Sequence, residues 1–245
     1  MRLRQIALAA TDLAGTVEAL TDVLGIEVGF RDPGVAVFGL ENVVMPVGDT
    51  YLEVVSPVRE DATAMRWIRK RGGDSGYMVI LQCDDYAHLE RELARAESAG
   101  AVRVWEGTHE GARGVHFHPR HLGAILSFDA MPAWEEWVWA GPSWRAHRRT
   151  EISSAITGAV LESPEPERLA AHWAEVLGVA EGDGRTLSLP RGGELRFVPS
   201  QAGEGLVEVH IALADADAFA SRARARGVLE ADGAARIAGV RFAAA

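Results

Sequence analysis

Two histidines spaced two apart, His116 and His118, lie in a short strand-like stretch, with His121 in the following turn and Ser127 and Asp129 further on. On an extended strand a two-residue spacing puts side chains on one face. His116 with His118, and Ser127 with Asp129, are therefore pairs that could ligate a metal or hold a polar ligand. Beside Pro119 the same histidines serve equally well as plain hydrogen-bonded groups. The only cysteine, Cys83, closes the apolar run from Met78. A nucleophilic thiol needs exposure and a nearby base, and this run implies a buried strand thiol instead. Lys70 is the only lysine and lies in a run of charges, so Schiff-base chemistry is set aside.

The elements that must position these residues repeat along the chain. An apolar stretch, an acidic or proline-containing turn, and an amphipathic helix ending at glycine occur four times: Ile6 to Gly25, Met78 to Gly100, Ile156 to Gly178, and Val209 to Gly227. Asp12, Asp85 and Asp217 are expected to cap helix N-termini, because a carboxylate accepts orphan N–H groups. Pro166 suits a first helical turn, where its missing N–H costs nothing. Leu13, Val17 and Leu20 share one helical face, as do Leu169, Trp173 and Val176.

Strand-like segments follow each helix. They are residues 26–31, 35–38, 42–47 and 51–55 in the first copy, and 102–106, 114–118 and 124–128 in the second. The third copy has 186–189 and 194–198, and the fourth has 236–242. Residues 61–71 read as a connecting helix closed by Gly72-Gly73. Residues 131–149 hold Trp134, Trp137, Trp139 and Trp144 and read as a packed linker helix, or as an aromatic lid or dimer contact. The expected class is α+β: four βαβββ modules forming two cupped mixed sheets with flanking helices. One domain spans residues 1–130, with modules 1–58 and 75–130. A Trp-rich linker covers 131–150, and a shortened second domain covers 151–245.

With 245 residues, about half of them hydrophobic, the chain can bury two ordinary cores. A net charge of -10 repels nucleic-acid backbones and anionic membrane surfaces. No apolar run reaches the length of a membrane span, and the opening residues read as a first strand, not a signal peptide. One cysteine makes no internal disulfide, which points to a cytoplasmic chain. The expected partner is a small molecule, with no nucleic acid and no membrane, and the expected assembly is a monomer or homodimer.

Tandem modules with these turns resemble the vicinal oxygen chelate (glyoxalase, bleomycin-resistance and dioxygenase) superfamily. The stretch Gly48–Pro57 resembles the last strand of a first module. The stretch His116–Phe128 is similar to the end of a second module, and its HPR-x-LG-x-IL wording resembles methylmalonyl-CoA epimerases. The resemblance implies a small-molecule site at the bottom of a cup and a divalent metal held by first and last strands. Carried over residue by residue, the metal positions fall on Gln5, Glu53, Met78 and Ser127. Only Gln5 and Glu53 suit a hard cation, so the implied metal site is degraded. The matching positions of the second half are Gly158, Arg196, His210 and Arg241, and two arginines would repel a cation. His210 reads as a hydrogen-bonded interior histidine, and the second half as a structural companion.

Two functional readings stay open. One is a lyase or isomerase working through an enolate-type anion, with Glu53 as catalytic base or metal ligand. The other is a non-catalytic ligand-binding protein that sequesters its ligand. In either reading Tyr51, Met78, Trp105, His116, His118 and Ser127 are the candidate substrate-binding residues. An acyl-CoA substrate would need cations for its phosphates, with Arg66, Arg69, Lys70, Arg71, Arg113 and Arg120 as candidates.

Overall fold

A computed structural model describes residues 1–180 and 182–245. These form thirteen strands in two mixed sheets and five α-helices, the α+β architecture expected from the repeat. Four times a strand runs into a helix: β1 (Arg2–Ala9) into α1 (Leu13–Leu24), β4 (Ser75–Gln82) into α3 (Tyr86–Ser98), β8 (Ser153–Ser163) into α4 (Pro166–Leu177), and β11 (Gly205–Leu213) into α5 (Ala216–Ala225). Helix α2 (Thr63–Arg71) is the connecting helix. The other strands are β2 (Leu40–Val47), β3 (Thr50–Pro57), β5 (Arg103–His109), β6 (Ala112–Phe117), β7 (Ile125–Ala130), β9 (Thr186–Ser188), β10 (Glu194–Pro199), β12 (Ala235–Ile237) and β13 (Val240–Ala244). No described helix is long and apolar enough to cross a membrane.

The helix starts follow side-chain capping. The Asp12 carboxylate accepts the Gly15 N–H, and Asp85 accepts that of His88. Pro166 opens α4. In the fourth helix the cap is Asp215, which accepts the Ala218 N–H, while Asp217 lies in the first turn. The sequence offers two carboxylates there, and the cap is the one three residues before a free helical N–H.

Four expected elements differ. Residues 26–31 form no strand: only Phe30 pairs, as an isolated bridge to Val44. Residues 35–38 form no strand: Pro33–Phe38 is a 3-10 helix, because Asp32 turns its carboxylate onto the Gly34 N–H and Pro33 pre-sets the first turn. Residues 131–149 form no continuous helix. They hold only the short 3-10 turns Val138–Ala140 and Trp144–His147, interrupted at Gly141-Pro142. Residues 236–242 fold back as the hairpin β12–β13, turning at Ala238 and Gly239.

The chain divides into two compact units, each gathered from distant segments. One, the Glu53 unit, comprises residues 5–77, 139–157 and 207–245; the other, the His116 unit, comprises 1–4, 78–138 and 158–206. In the Glu53 unit the strands run β2-β3-β1 and β12-β13-β11. Helix α1 packs with α5, and Arg226 binds Asp22 and Glu18 while Arg222 donates to the Asp22 carbonyl at 2.9 Å. The β2–β3 turn also holds the start of β8. Thr50 Oγ1 accepts the Ile156 N–H at 2.7 Å and donates to the Val47 carbonyl. Gly48, at φ 61°, is required in that turn, since any Cβ would run into the Ser154 carbonyl oxygen.

In the His116 unit the strands run β4-β7-β6-β5, and β10 lies between β8 and β9. Helix α3 packs with α4, and Arg95 donates to the Leu177 carbonyl at 2.9 Å. Trp173, fully buried, donates its indole N–H to the Leu122 carbonyl at 2.9 Å. That bond ties α4 to the turn before β7.

Candidate functional site

Strand register sorts the side chains of the Glu53 unit by face. Gln5 pairs with Tyr51 and Ala7 with Glu53 across β1 and β3, while Pro46 pairs with Tyr51 and Val44 with Glu53 across β2 and β3. Gln5, Tyr51, Glu53 and Asn42, two residues before Val44, therefore share one face. Ile6, Leu8, Val43, Met45, Leu52 and Val54 alternate onto the other face and are fully buried. That apolar alternation fixes the register, because a slip of one residue would turn the polar set onto the apolar face against the helices.

Glu53 is buried, and both its oxygens accept hydrogen bonds. Gln5 Nε2 donates to Oε2 at 2.8 Å and Asn42 Nδ2 donates to Oε1 at 2.7 Å. An ionised carboxylate only accepts, so it orients both amides. Asn42 is fixed from its other end too, because its Oδ1 accepts the Asp32 N–H at 2.8 Å. Burial pushes the Glu53 carboxyl above the usual carboxylate range; the Asn42 bond and then the Gln5 bond oppose this, and the Asp32 charge adds to it. Tyr77 is pushed up to about 12, first by burial and then by the Glu53 charge, with Arg66 acting the other way. Its phenol therefore keeps its proton at any physiological pH.

The donor set around Glu53 does not fit a resident metal. Gln5 turns its amide N–H, not its carbonyl oxygen, toward the carboxylate. Asn42 does the same at the other oxygen. With both amides donating, Glu53 is the one charged oxygen ligand that the four carried-over positions supply. A mononuclear catalytic site needs about three protein ligands. Among the described residues no group of three or more His, Cys, Asp or Glu could hold a metal ion.

The His116 unit carries the other candidate residues. Trp105 pairs with His116, His116 with Ser127, and Ser127 with Ile80, so one row crosses β5, β6, β7 and β4. Met78 and Asp129, two residues from members of that row, lie on the same face. Val79, Leu81, Val115, Phe117, Leu126 and Phe128 line the other face and are buried, with α3 packed on β7. The Ser127 hydroxyl donates to the Asp129 carboxylate beside it, with a longer approach to the Val115 carbonyl at 3.3 Å. The Trp105 and His116 rings stack at 4.3 Å between centroids, tilted by 39°. Gly107 makes that pose possible, since a Cβ there would run into the indole. Burial lowers the His116 pKa to about 4, so its imidazole is neutral.

His118 does not continue the His116 face. Strand β6 ends at Phe117, and the exposed His118 uses Nδ1 to accept the Arg120 N–H at 3.0 Å. Cys83 is buried, and burial, followed by the Glu92 charge, raises its pKa, so it is no nucleophile. His210 contacts Glu208 through Nε2 at 2.9 Å, and Arg241 is surrounded by Glu208, Glu230 and Asp232. Of the arginines considered for phosphates, Arg69 pairs with Glu60 and Arg113 with both Glu90 and Glu106. Asn42 is the residue that sequence reasoning left out of the site, whereas Asp129 was read as sharing the Ser127 face. The available signal for Asn42 was a polar residue in register with Glu53 within an otherwise apolar β2.

A profile of the family described as glyoxalase-like domain matches residues 6–177. No curated protein matches the sequence. Among solved structures, a triple mutant of 4-hydroxymandelate synthase from Streptomyces coelicolor superposes with a TM-score of 0.69 at 16% identity, over 93% of this chain and 75% of that one. A Streptomyces coelicolor methylmalonyl-CoA epimerase variant in complex with 2-nitronate-propionyl-CoA gives a TM-score of 0.47 at 21% identity, over 54% of this chain and 99% of that one.

Proposed function

The chain belongs to the glyoxalase-like domain family of the vicinal oxygen chelate superfamily, and from that premise we propose that it binds a small organic molecule in the cytoplasm and that Glu53 exchanges a proton with it. The reaction is of lyase or isomerase type, through an enolate-like anion. One observation carries this reading: a buried carboxyl, raised by its burial, is gripped at both oxygens by Gln5 and Asn42.

A carboxyl whose pKa is raised is a stronger base when ionised and regains its proton more readily, which suits removing and returning a proton beside a carbonyl. Each carboxylate oxygen has two acceptor directions, and the amides occupy one on each. Gln5 and Asn42 therefore aim Glu53 and leave it an open lone pair for substrate. Tyr77, protonated to about 12, is a hydroxyl that feels the Glu53 charge and carries none of its own.

Because His118–Leu126 is worded like an epimerase stretch, methylmalonyl-CoA is the first probe. The test follows loss of its α-proton signal by NMR in D2O, with EDTA-treated protein. Glu53→Ala is expected to lower the exchange rate by at least about 100-fold, the usual worth of a general base. Exchange that survives Glu53→Ala unchanged would overturn the proton-transfer role. The runner-up is a non-catalytic sequestering protein, favoured by the internal satisfaction of the polar groups, Glu53 by two amides and Ser127 by Asp129. In that case Glu53→Ala leaves ligand affinity within a few-fold, and no variant shows exchange.

A further inference from the structure

His116 combines three properties that rarely coincide. Protein crowds it closely enough to lower its pKa to about 4, yet part of its surface remains open to solvent. Among the described residues its ring makes one protein interaction, the stack on Trp105, and neither ring nitrogen has a hydrogen-bonding partner there. No ring nitrogen of His116 is among the sealed, unpartnered polar atoms, so each is reached from outside and something other than the protein supplies its hydrogen bond.

The surroundings restrict what that something is. The neutral imidazole offers an acceptor nitrogen and an N–H, but no positive charge to attract an anion. The Ser127 hydroxyl proton is committed to Asp129, on the same face of the sheet. Trp105 lies flat over Gly107 and extends the apolar surface beside His116. Opposite Gly107, Gly114 adds no side chain to that face.

We infer that Trp105 and His116 form a subsite for an uncharged planar group carrying an O–H or N–H donor, which packs beside the indole and donates to the His116 ring. The inference rests on the small-molecule reading but not on Glu53. Three simple arenes probe it directly: phenol, which donates, anisole, which cannot, and benzoate, which is charged. The readout is the His116 ring resonance in the full-length protein labelled at histidine.

Phenol is expected to shift that resonance with a Kd on the order of 1 mM, as suits a seven-atom fragment. Anisole, which cannot donate, is expected to bind at least about tenfold more weakly, and benzoate not to bind. His116→Phe keeps a ring against Trp105 and should erase the preference for phenol over anisole. His116→Gln keeps an acceptor and should retain part of it. Trp105→Leu should weaken both arenes alike. Equal shifts with phenol and anisole, or no His116 shift with either, would overturn the subsite. Such a result leaves α-proton exchange by Glu53 intact, while a loss of exchange with phenol selectivity preserved would overturn only the catalytic reading.

Discussion

At the scale of single residues, two buried polar groups have measurable signatures. An unfolded histidine takes up its proton near 6.5, whereas folded His116 resists it until about 4. The folded pKa is the lower one, so the contribution is complete above about 6.5 and is lost as pH falls toward 4. The gap corresponds to about 1–3 kcal/mol, given the ring's residual exposure. Urea melts from pH 7 to pH 4 should therefore show wild type losing more stability than His116→Phe, and parallel curves would contradict this. For Asn42, the substitution Asn42→Leu removes the largest influence lowering the Glu53 pKa. The Glu53 carboxyl, followed by carbon NMR, should titrate higher than in wild type, and the Asp32 N–H loses its acceptor at a cost of about 1–3 kcal/mol. Glu53 was legible in the sequence through its resemblance to a known strand. Asn42 was not, because its importance comes from strand register, which a lone sequence does not reveal.

Among the elements, the readable parts were those whose local signals agreed. The four strand–helix transitions combine apolar runs and terminal glycines with a capping aspartate or, at α4, a leading proline, and all four form, with Asp215 in place of Asp217 at the last cap. Residues 35–38 misled because four apolar residues look like a strand, while the outcome was decided by Asp32 and Pro33 just before them. The tryptophan-rich segment has near-helical spacing, yet Gly141-Pro142 interrupts it and Trp137 and Trp144 are buried individually. Two inter-element bonds make predictions. Thr50→Val strands the buried Ile156 N–H and should cost about 1–3 kcal/mol in chemical denaturation, with Thr50→Ser restoring most of it. Trp173→Phe leaves the Leu122 carbonyl without its indole donor and should cost a similar amount plus the lost packing.

For the whole molecule, what a lone sequence conceals is which helix packs on which. The first and last module helices, α1 and α5, meet in one unit, and the middle two, α3 and α4, meet in the other. A fragment of residues 1–130 would contain α1 without α5 and α3 without α4. Leu20, Val23, Leu89 and Leu93 are fully or almost fully buried in the intact chain. The fragment is therefore expected to show no cooperative thermal transition, and a sharp one at the wild-type midpoint would mean that the later segments are dispensable.

The discontinuous units also set a timetable for synthesis on the ribosome. Segments 78–138 and 158–206 emerge close together, so most of the His116 unit can assemble while translation continues. The Glu53 unit has to wait: residues 5–77 are made early, but α5 and the β12–β13 hairpin leave the exit tunnel more than a hundred residues later. At about 5–20 residues per second, the greasy underside of α1 is left uncovered for many seconds in every round of translation. That interval, longer than most elementary folding events, makes the nascent first module a natural client for chaperones, and slow codons after residue 77 would lengthen its exposure.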